Sequence, residues 1–260
     1  MIPALVEHDS ALDAARGRVA ILAAMPEEIA ALRARATDCR RLSFGSGRAF
    51  EATVAGRQTV LAVTGEGAGR ASEAGRVLLS ELPIGGLIVA GIAGGLSPSL
   101  APGSVIVARR VLDDGGAAPA PDGRWAAAVQ GCGNAVPGTI LSSSSMLCTR
   151  DAKALAYARL GTAEPAVVDL ESASLARVAA AHGVPYIAVR AVCDTAEENL
   201  PLDFNRYRDD SGELDRFRLA RVALSRPALI APLWRLRRRV AMCSETLAAL
   251  IHRVLERGMA

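Results

Sequence analysis

A chain of 260 residues with 51% hydrophobic composition is long enough for one substantial α/β core, and with aromatics at 3% that core must be built from Ala, Val, Leu and Ile. Thirty basic residues against 27 acidic ones leave a net charge of +3, too balanced to argue for a nucleic-acid partner, and none is expected. No stretch approaches the roughly 20 uninterrupted apolar residues of a membrane span, residues 1–17 do not read as a signal peptide, and the five scattered cysteines lack metal-ligand spacing, so a cytoplasmic protein with reduced thiols, no metal and no cofactor is expected.

Residues 1–17 read as a flexible leader, 18–212 as an α/β domain, and 213–260 as an Arg-rich helical extension packed on the same domain. Val19–Ala24 (VAILAA) is an apolar run of strand length. Pro26 follows where a helix can begin, because the first helical N–H has no partner to lose, and this puts Glu27 and Glu28 in the first turn. Arg41–Phe44 and Phe50–Val54 flank an FGSGR turn. Thr59–Thr64 is a strand ending in GEGAG, Ala71–Leu82 a helix, and Leu87–Ala90 a buried strand ending in GIAGG. Ser104–Val111 is a further strand, and Asp113–Asn134, rich in Gly, Ala and Pro, reads as a surface loop. Thr139–Ser142 runs into four serines, Arg150–Arg159 is helical, Ala166–Asp169 feeds the helix Glu171–His182, and Pro185–Val192 is the last clear strand. The alternation predicts a three-layer α/β/α sandwich around a mixed, mostly parallel sheet, with an extra C-terminal helical extension.

In open α/β sheets, ligands bind beyond the carboxyl ends of the strands. Here those ends are AMPEE, GEGAG, GIAGG, SSSS, DLES and CDTAEE. Neither glycine string is a dinucleotide fingerprint, and no phosphate-binding G-x-x-x-x-G-K-[ST] occurs. The carboxylates say more. Glu28 and Glu171 each open a helix, where the dipole stabilises an anion, so simple helix decoration stands beside a functional reading. Asp194 directly follows an apolar strand. Together the three supply what sugar–base cleavage needs: an acid for the departing base, a group to orient the nucleophile, and an acceptor for ribose hydroxyls.

AAMPEEIAAL resembles the opening strand and helix of methylthioadenosine/S-adenosylhomocysteine nucleosidases. VAGIAGGL, with PGSVIVA after it, and VVDLESASLARVAAAHGVPYIAVRAVCDTAEE resemble two further landmarks of the purine/uridine phosphorylase superfamily, in the right order between Val19 and Glu198. The resemblance implies a nucleoside substrate whose N-glycosidic bond is cleaved to release adenine. By position it implies that Glu28 activates water, Asp194 donates to purine N7, and Glu171 binds the 2′- and 3′-hydroxyls. Asp169 precedes that pair where the family has Glu, and Leu170 packs against the sugar. Ser144, Met146 and Leu147 lie along the base. A homodimer or higher oligomer is expected of the family.

Two departures bear on the reaction. Ile92 stands where the family commonly has Ser or Thr, and Val89 where phosphorylase branches have Arg, so phosphate loses two donors and water is the favoured nucleophile. Phosphate stays open as an alternative through an anion site made from Arg48, Arg70, Gly65 and Gly67. The tail is the other departure. From Glu213 onward ten Arg face four acidic residues, a charge of +6. In Ala228–Val240, Leu229, Leu233, Leu236 and Val240 share one helical face, Arg235, Arg238 and Arg239 lie opposite, and Trp234 and Arg237 flank them. This reads either as a helix capping the core with a solvated basic face, or as one lying on an anionic membrane surface. The Arg-rich tail is similar to the nucleoside phosphorylase-like proteins of hopanoid biosynthesis, which implies adenosylhopane, a lipid-linked nucleoside, as candidate substrate. Phosphorolysis, a methylthioadenosine/S-adenosylhomocysteine nucleosidase, and a non-catalytic nucleoside- or lipid-surface binder are the alternatives.

Overall fold

The computed structural model describes residues 17–44, 47–209 and 212–258. The leader up to residue 16 and the tip of the FGSGR turn lie outside the described residues. The elements run β1 (Arg18–Ala23), α1 (Pro26–Arg35), β2 (Thr37–Phe44), β3 (Gly47–Val54), β4 (Arg57–Val63), α2 (Ala68–Glu81), β5 (Ile84–Gly95) and β6 (Val105–Asp113). They continue with β7 (Gly116–Ala117), α3 (Gly123–Gly131), β8 (Ala135–Ser142), α4 (Arg150–Leu160), β9 (Ala166–Asp169), α5 (Ser172–Ala181), β10 (Tyr186–Asp194), α6 (Arg216–Ser225) and α7 (Ile230–Arg257).

Successive residues of the central strands point to opposite faces, and both faces are buried. In β1, Ala20 and Leu22 join the core beneath α2 and α5, while Ile21 and Ala23 join the core beneath α1, α3 and α7. That two-sided burial is why these strands read as continuous aliphatic runs. Parallel pairing links β4–β1–β5–β10 and β6–β8–β9, whereas the β2–β3–β4 meander at one edge is antiparallel. β5 is the pivot: it pairs with β10 from Leu87 to Gly94 and with β9 at Gly94 and Gly95. Because β10 also pairs with β6, the strands β5, β10, β6, β8 and β9 close into a ring. The carboxyl ends of β5, β9 and β10 converge there.

Two sequence expectations change. The segment Asp113–Asn134 is not simply a surface loop, since it contains β7 and α3. Asp122 caps α3 by accepting from the N–H groups of Arg124 and Trp125, and Trp125 and Val129 are buried against the sheet. A Cβ on Gly86 would fall 1.8 Å from the Trp125 ring, so glycine there is what lets α3 lie on β5. The tail helix is also longer than Ala228–Val240. After a single 3-10 turn it runs unbroken for 28 residues, with Pro232 tolerated in a first turn whose N–H groups lack helical partners. Its second half is core: Cys243, Leu247, Leu250, Ile251, Val254 and Leu255 are buried beside α1 and the sheet.

Candidate active site

A cavity of about 230 Å³ opens at the converging strand ends. Glu28, Ile92, Met146, Leu147, Asp169, Leu170, Glu171 and Asp194 all line it, brought from five separate stretches of chain. Ser144 is exposed and is not among the lining residues. The walls are completed by Met25, Phe204 and Leu214, and by Leu236 and Val240 of α7.

Glu28 sits in the first turn of α1, and both carboxylate oxygens are held by main chain. Oε2 accepts from the Met25 N–H at 2.9 Å and Oε1 from the Ile92 N–H at 2.8 Å. Position 92 therefore grips Glu28 through its backbone, a contact that does not require the Ser or Thr hydroxyl it lacks. From behind, the Ser244 hydroxyl of α7 donates to the Glu28 carbonyl at 3.2 Å. Burial raises the Glu28 carboxyl above its usual range, opposed by the charge of Arg190 and by the backbone donors.

Arg190 is the residue that the sequence reading passed over. It is fully buried in the middle of β10, where its Nε donates to Asp169 Oδ2 at 2.7 Å and its Nη2 to the Ser172 hydroxyl at 3.0 Å. Asp169 in turn accepts from the Ser142 hydroxyl at 2.6 Å and caps the start of α5. The shorter Asp thus acts as a structural partner for Arg190. The signal was in the sequence: an arginine inside the aliphatic run PYIAVRAV has no solvent to face and must find a buried anion. Gly91 makes the space, because a Cβ there would stand 2.2 Å from Arg190 Nη1 and 2.7 Å from Glu28 Oε1.

Glu171 precedes α5, and its Oε1 accepts from the Gly67 N–H at 2.7 Å. Gly67 has φ +90°, a conformation that favours glycine, so the GEGAG turn aims a backbone donor at a carboxylate of the protein itself. Burial and the nearby Asp169 charge push the Glu171 carboxyl up to about 8. Its carboxyl thus holds its proton to a higher pH than an ordinary glutamate does.

Asp194 closes β10. Burial raises its carboxyl, opposed by the ammonium of Lys153, which donates to its Oδ2. Lys153 of α4 is completely buried and also donates to the carbonyls of Thr195 at 2.7 Å and Glu198 at 2.9 Å. This partner was also missed.

The expected anion site does not form in this cavity. Arg48, Arg70 and Gly65 line a second cavity of about 660 Å³, joined to the first through Ala24, Met25, Glu66 and Leu214. There Arg70 is bonded to Glu213 at 2.7 Å, and Glu66 and Glu73 add negative charge. The tail likewise differs from a uniformly solvated basic face. Arg239 turns inward to make two bonds to Glu198, and Arg216 pairs with Glu27.

The sequence profile described as the Phosphorylase superfamily matches residues 18–224. A 5′-methylthioadenosine/S-adenosylhomocysteine nucleosidase of Aeromonas salmonicida is 27% identical over 217 residues, covering 75% of this chain and 94% of that protein. Among solved structures, the Neisseria meningitidis 5′-methylthioadenosine/S-adenosylhomocysteine nucleosidase in complex with methylthio-immucillin-A superposes with a TM-score of 0.72 at 21% identity, over 93% of this chain and all of that one. The futalosine hydrolase of Helicobacter pylori gives 0.74 at 14% identity, over 95% of this chain and all of that one. With four fifths of its length matched by that profile, and with a sandwich that superposes on these structures, the chain belongs to the phosphorylase superfamily.

Proposed function

We propose that this protein hydrolyses the N-glycosidic bond of a 5′-substituted adenosine and releases adenine. The observation that carries the reading is Glu28, a buried carboxylate whose two oxygens are aimed by two main-chain donors into a cavity that Asp194 and Glu171 also line. Glu28, whose carboxyl is made more basic by burial, takes a proton from the attacking water. Asp194 gives a proton to purine N7 as the electron pair of the breaking C1′ bond moves into the base. Glu171 holds the ribose hydroxyls, and the carboxylate charge around the sugar stabilises an oxocarbenium-like transition state. Leu170 packs on the sugar, and Met146 and Leu147 flank the base.

Water is favoured over phosphate because none of the described residues lining the cavity is basic, and the buried Arg190 beside Glu28 is already committed to Asp169 and Ser172. A phosphate would meet carboxylates on every polar side. The relatives described as nucleosidases support the same choice. Adenine release from methylthioadenosine and from adenosine, with and without phosphate, tests it. Release in phosphate-free buffer is expected, and strict phosphate dependence would overturn it.

The finer reading is a lipid-linked adenosine, such as adenosylhopane, taken up at an anionic membrane surface. Its support is the region between α6 and the first half of α7. Phe217, Leu224, Ile230 and Trp234 are 90%, 79%, 52% and 56% exposed, among exposed Arg218, Arg221, Arg226, Arg235, Arg237 and Arg238. Leu236 and Val240 carry that apolar surface on into the cavity wall. Among the described residues no helix is long and apolar enough to cross a membrane, so the contact would be peripheral. Removing residues 228–260 would strip the core, so the test replaces Phe217, Leu224 and Trp234 together by Ser. Loss of sedimentation with anionic vesicles, and of activity on an adenosyl-lipid but not on methylthioadenosine, is expected. Unchanged vesicle binding would sink the membrane reading.

A further inference from the structure

Lys153 is the only lysine in the chain, whose other 29 Lys/Arg positions are all arginine. It lies at the cavity end of α4 with no exposed surface, and its ammonium faces three acceptors: Asp194 Oδ2, the Thr195 carbonyl at 2.7 Å and the Glu198 carbonyl at 2.9 Å. Three acceptors require three N–H donors, so the group is held as the cation. A compact ammonium with three fanned donors satisfies this arrangement, whereas a planar guanidinium, larger and with its donors in one plane, does not. An arginine-rich chain with a lone lysine at this point suits a geometric requirement that arginine cannot meet.

We infer that Lys153 is the positioning residue and counter-ion of Asp194: it fixes the carboxyl by Oδ2, leaves Oδ1 for the leaving base, and takes up the negative charge that Asp194 acquires on giving up its proton. The inference rests on the nucleosidase reading above. The bond from C1′ to the base breaks with its electron pair going to the base, and the proton on Asp194 Oδ1 moves to the base nitrogen. The carboxylate left behind forms its ion pair with an ammonium already in place, so no charge has to be gathered during the reaction. The other charged groups facing Asp194 are Glu198 in the following loop and Arg239 of α7, and these are bonded to each other. Lys153 is thus the cation committed to Asp194.

Two measurements test this. The first compares Lys153→Met with wild type on adenosine-type substrates and on a p-nitrophenyl riboside, whose leaving group needs no protonation. Adenine release should fall roughly 10- to 100-fold in kcat with KM little changed. The alkaline limb of the kcat profile should move to higher pH, and the nitrophenyl riboside should be cleaved at nearly the wild-type rate. Lys153→Arg should not restore adenine release. Equal losses on both substrates with an unmoved pH profile would mean a merely structural lysine and overturn the inference. The second needs no substitution at Lys153. In protein labelled with 13C-lysine the single Cε resonance should shift with pH as Asp194 titrates and again on adding adenine, and Asp194→Asn should abolish both shifts; a resonance indifferent to all three also overturns it. If Asp194→Asn itself leaves adenine release intact, the nucleosidase reading fails instead.

Discussion

Arg239 of α7 reaches across to Glu198 and bonds it through both terminal guanidinium nitrogens, at 2.7 and 2.9 Å, four residues beyond Asp194. Glu198 in turn accepts from the Thr195 N–H at 3.0 Å and lends its carbonyl to Lys153. The C-terminal helix therefore braces the loop that carries the candidate general acid. Arg239→Ala is expected to lower kcat/KM by roughly tenfold through misplacement of that loop. The stability loss should stay under about 1 kcal/mol, because the pair is partly solvated. The bonds from Arg239 hold the Glu198 carboxyl down at about 2. Its stabilising contribution is thus present above the unfolded value of about 4.5 and is lost as pH falls toward 2. Melting temperatures of wild type and variant should converge on acidification.

Glu171 has the opposite sign. With its carboxyl raised to about 8 by burial, and beside Asp169, Glu28 and Arg190, the folded state holds a proton that the unfolded state releases near pH 4.5. Stability from this group is complete below that pH and declines as pH rises through 8, with a slope of at most about 1.4 kcal/mol per unit. Glu171→Gln should flatten the alkaline side of the stability–pH curve measured by denaturant titration. A parallel curve for the variant would refute the assignment. The same variant should raise KM for nucleosides bearing both ribose hydroxyls more than for their 2′-deoxy forms.

Replacing Asp194 by Asn and Glu28 by Gln separately should each lower kcat by about 10²- to 10⁴-fold, the range of positioned acid–base groups. Binding of adenine, followed calorimetrically, should persist in the Glu28 variant. Full activity in either variant removes that residue from the chemistry.

Gly91→Ala probes the crowding between Arg190 and Glu28. A methyl group 2.2 Å from Arg190 Nη1 must displace one of them. A loss of about 1–3 kcal/mol in stability is expected, with activity falling more than about 100-fold. Near-normal kcat would show that the Arg190–Glu28 spacing is not critical.

The sequence by itself determined the layered α/β architecture, because strands buried on both faces must be aliphatic throughout and helices must alternate with them. It also placed Glu28, Glu171 and Asp194 at strand ends, where chain direction alone brings carboxylates to one side of the sheet. Tertiary structure decided what those acids touch. Gly67 clamps Glu171 across 104 residues, Lys153 finds Asp194 across 41, and Arg190 finds Asp169 across 21. None of these pairings follows a local period, since each joins pieces that only the fold brings together, among them the turn before α2, helix α4 and the middle of β10. Tertiary structure also changed one local reading and extended another. A Gly- and Ala-rich stretch became α3 once Trp125 had the bare surface of Gly86 to cover, and the tail helix ran on past Val240 as core once Cys243–Leu255 had a sheet face to bury. The partners of charged groups were hidden for the same reason that they are needed: a buried charge is tolerated only where the fold delivers its counter-charge.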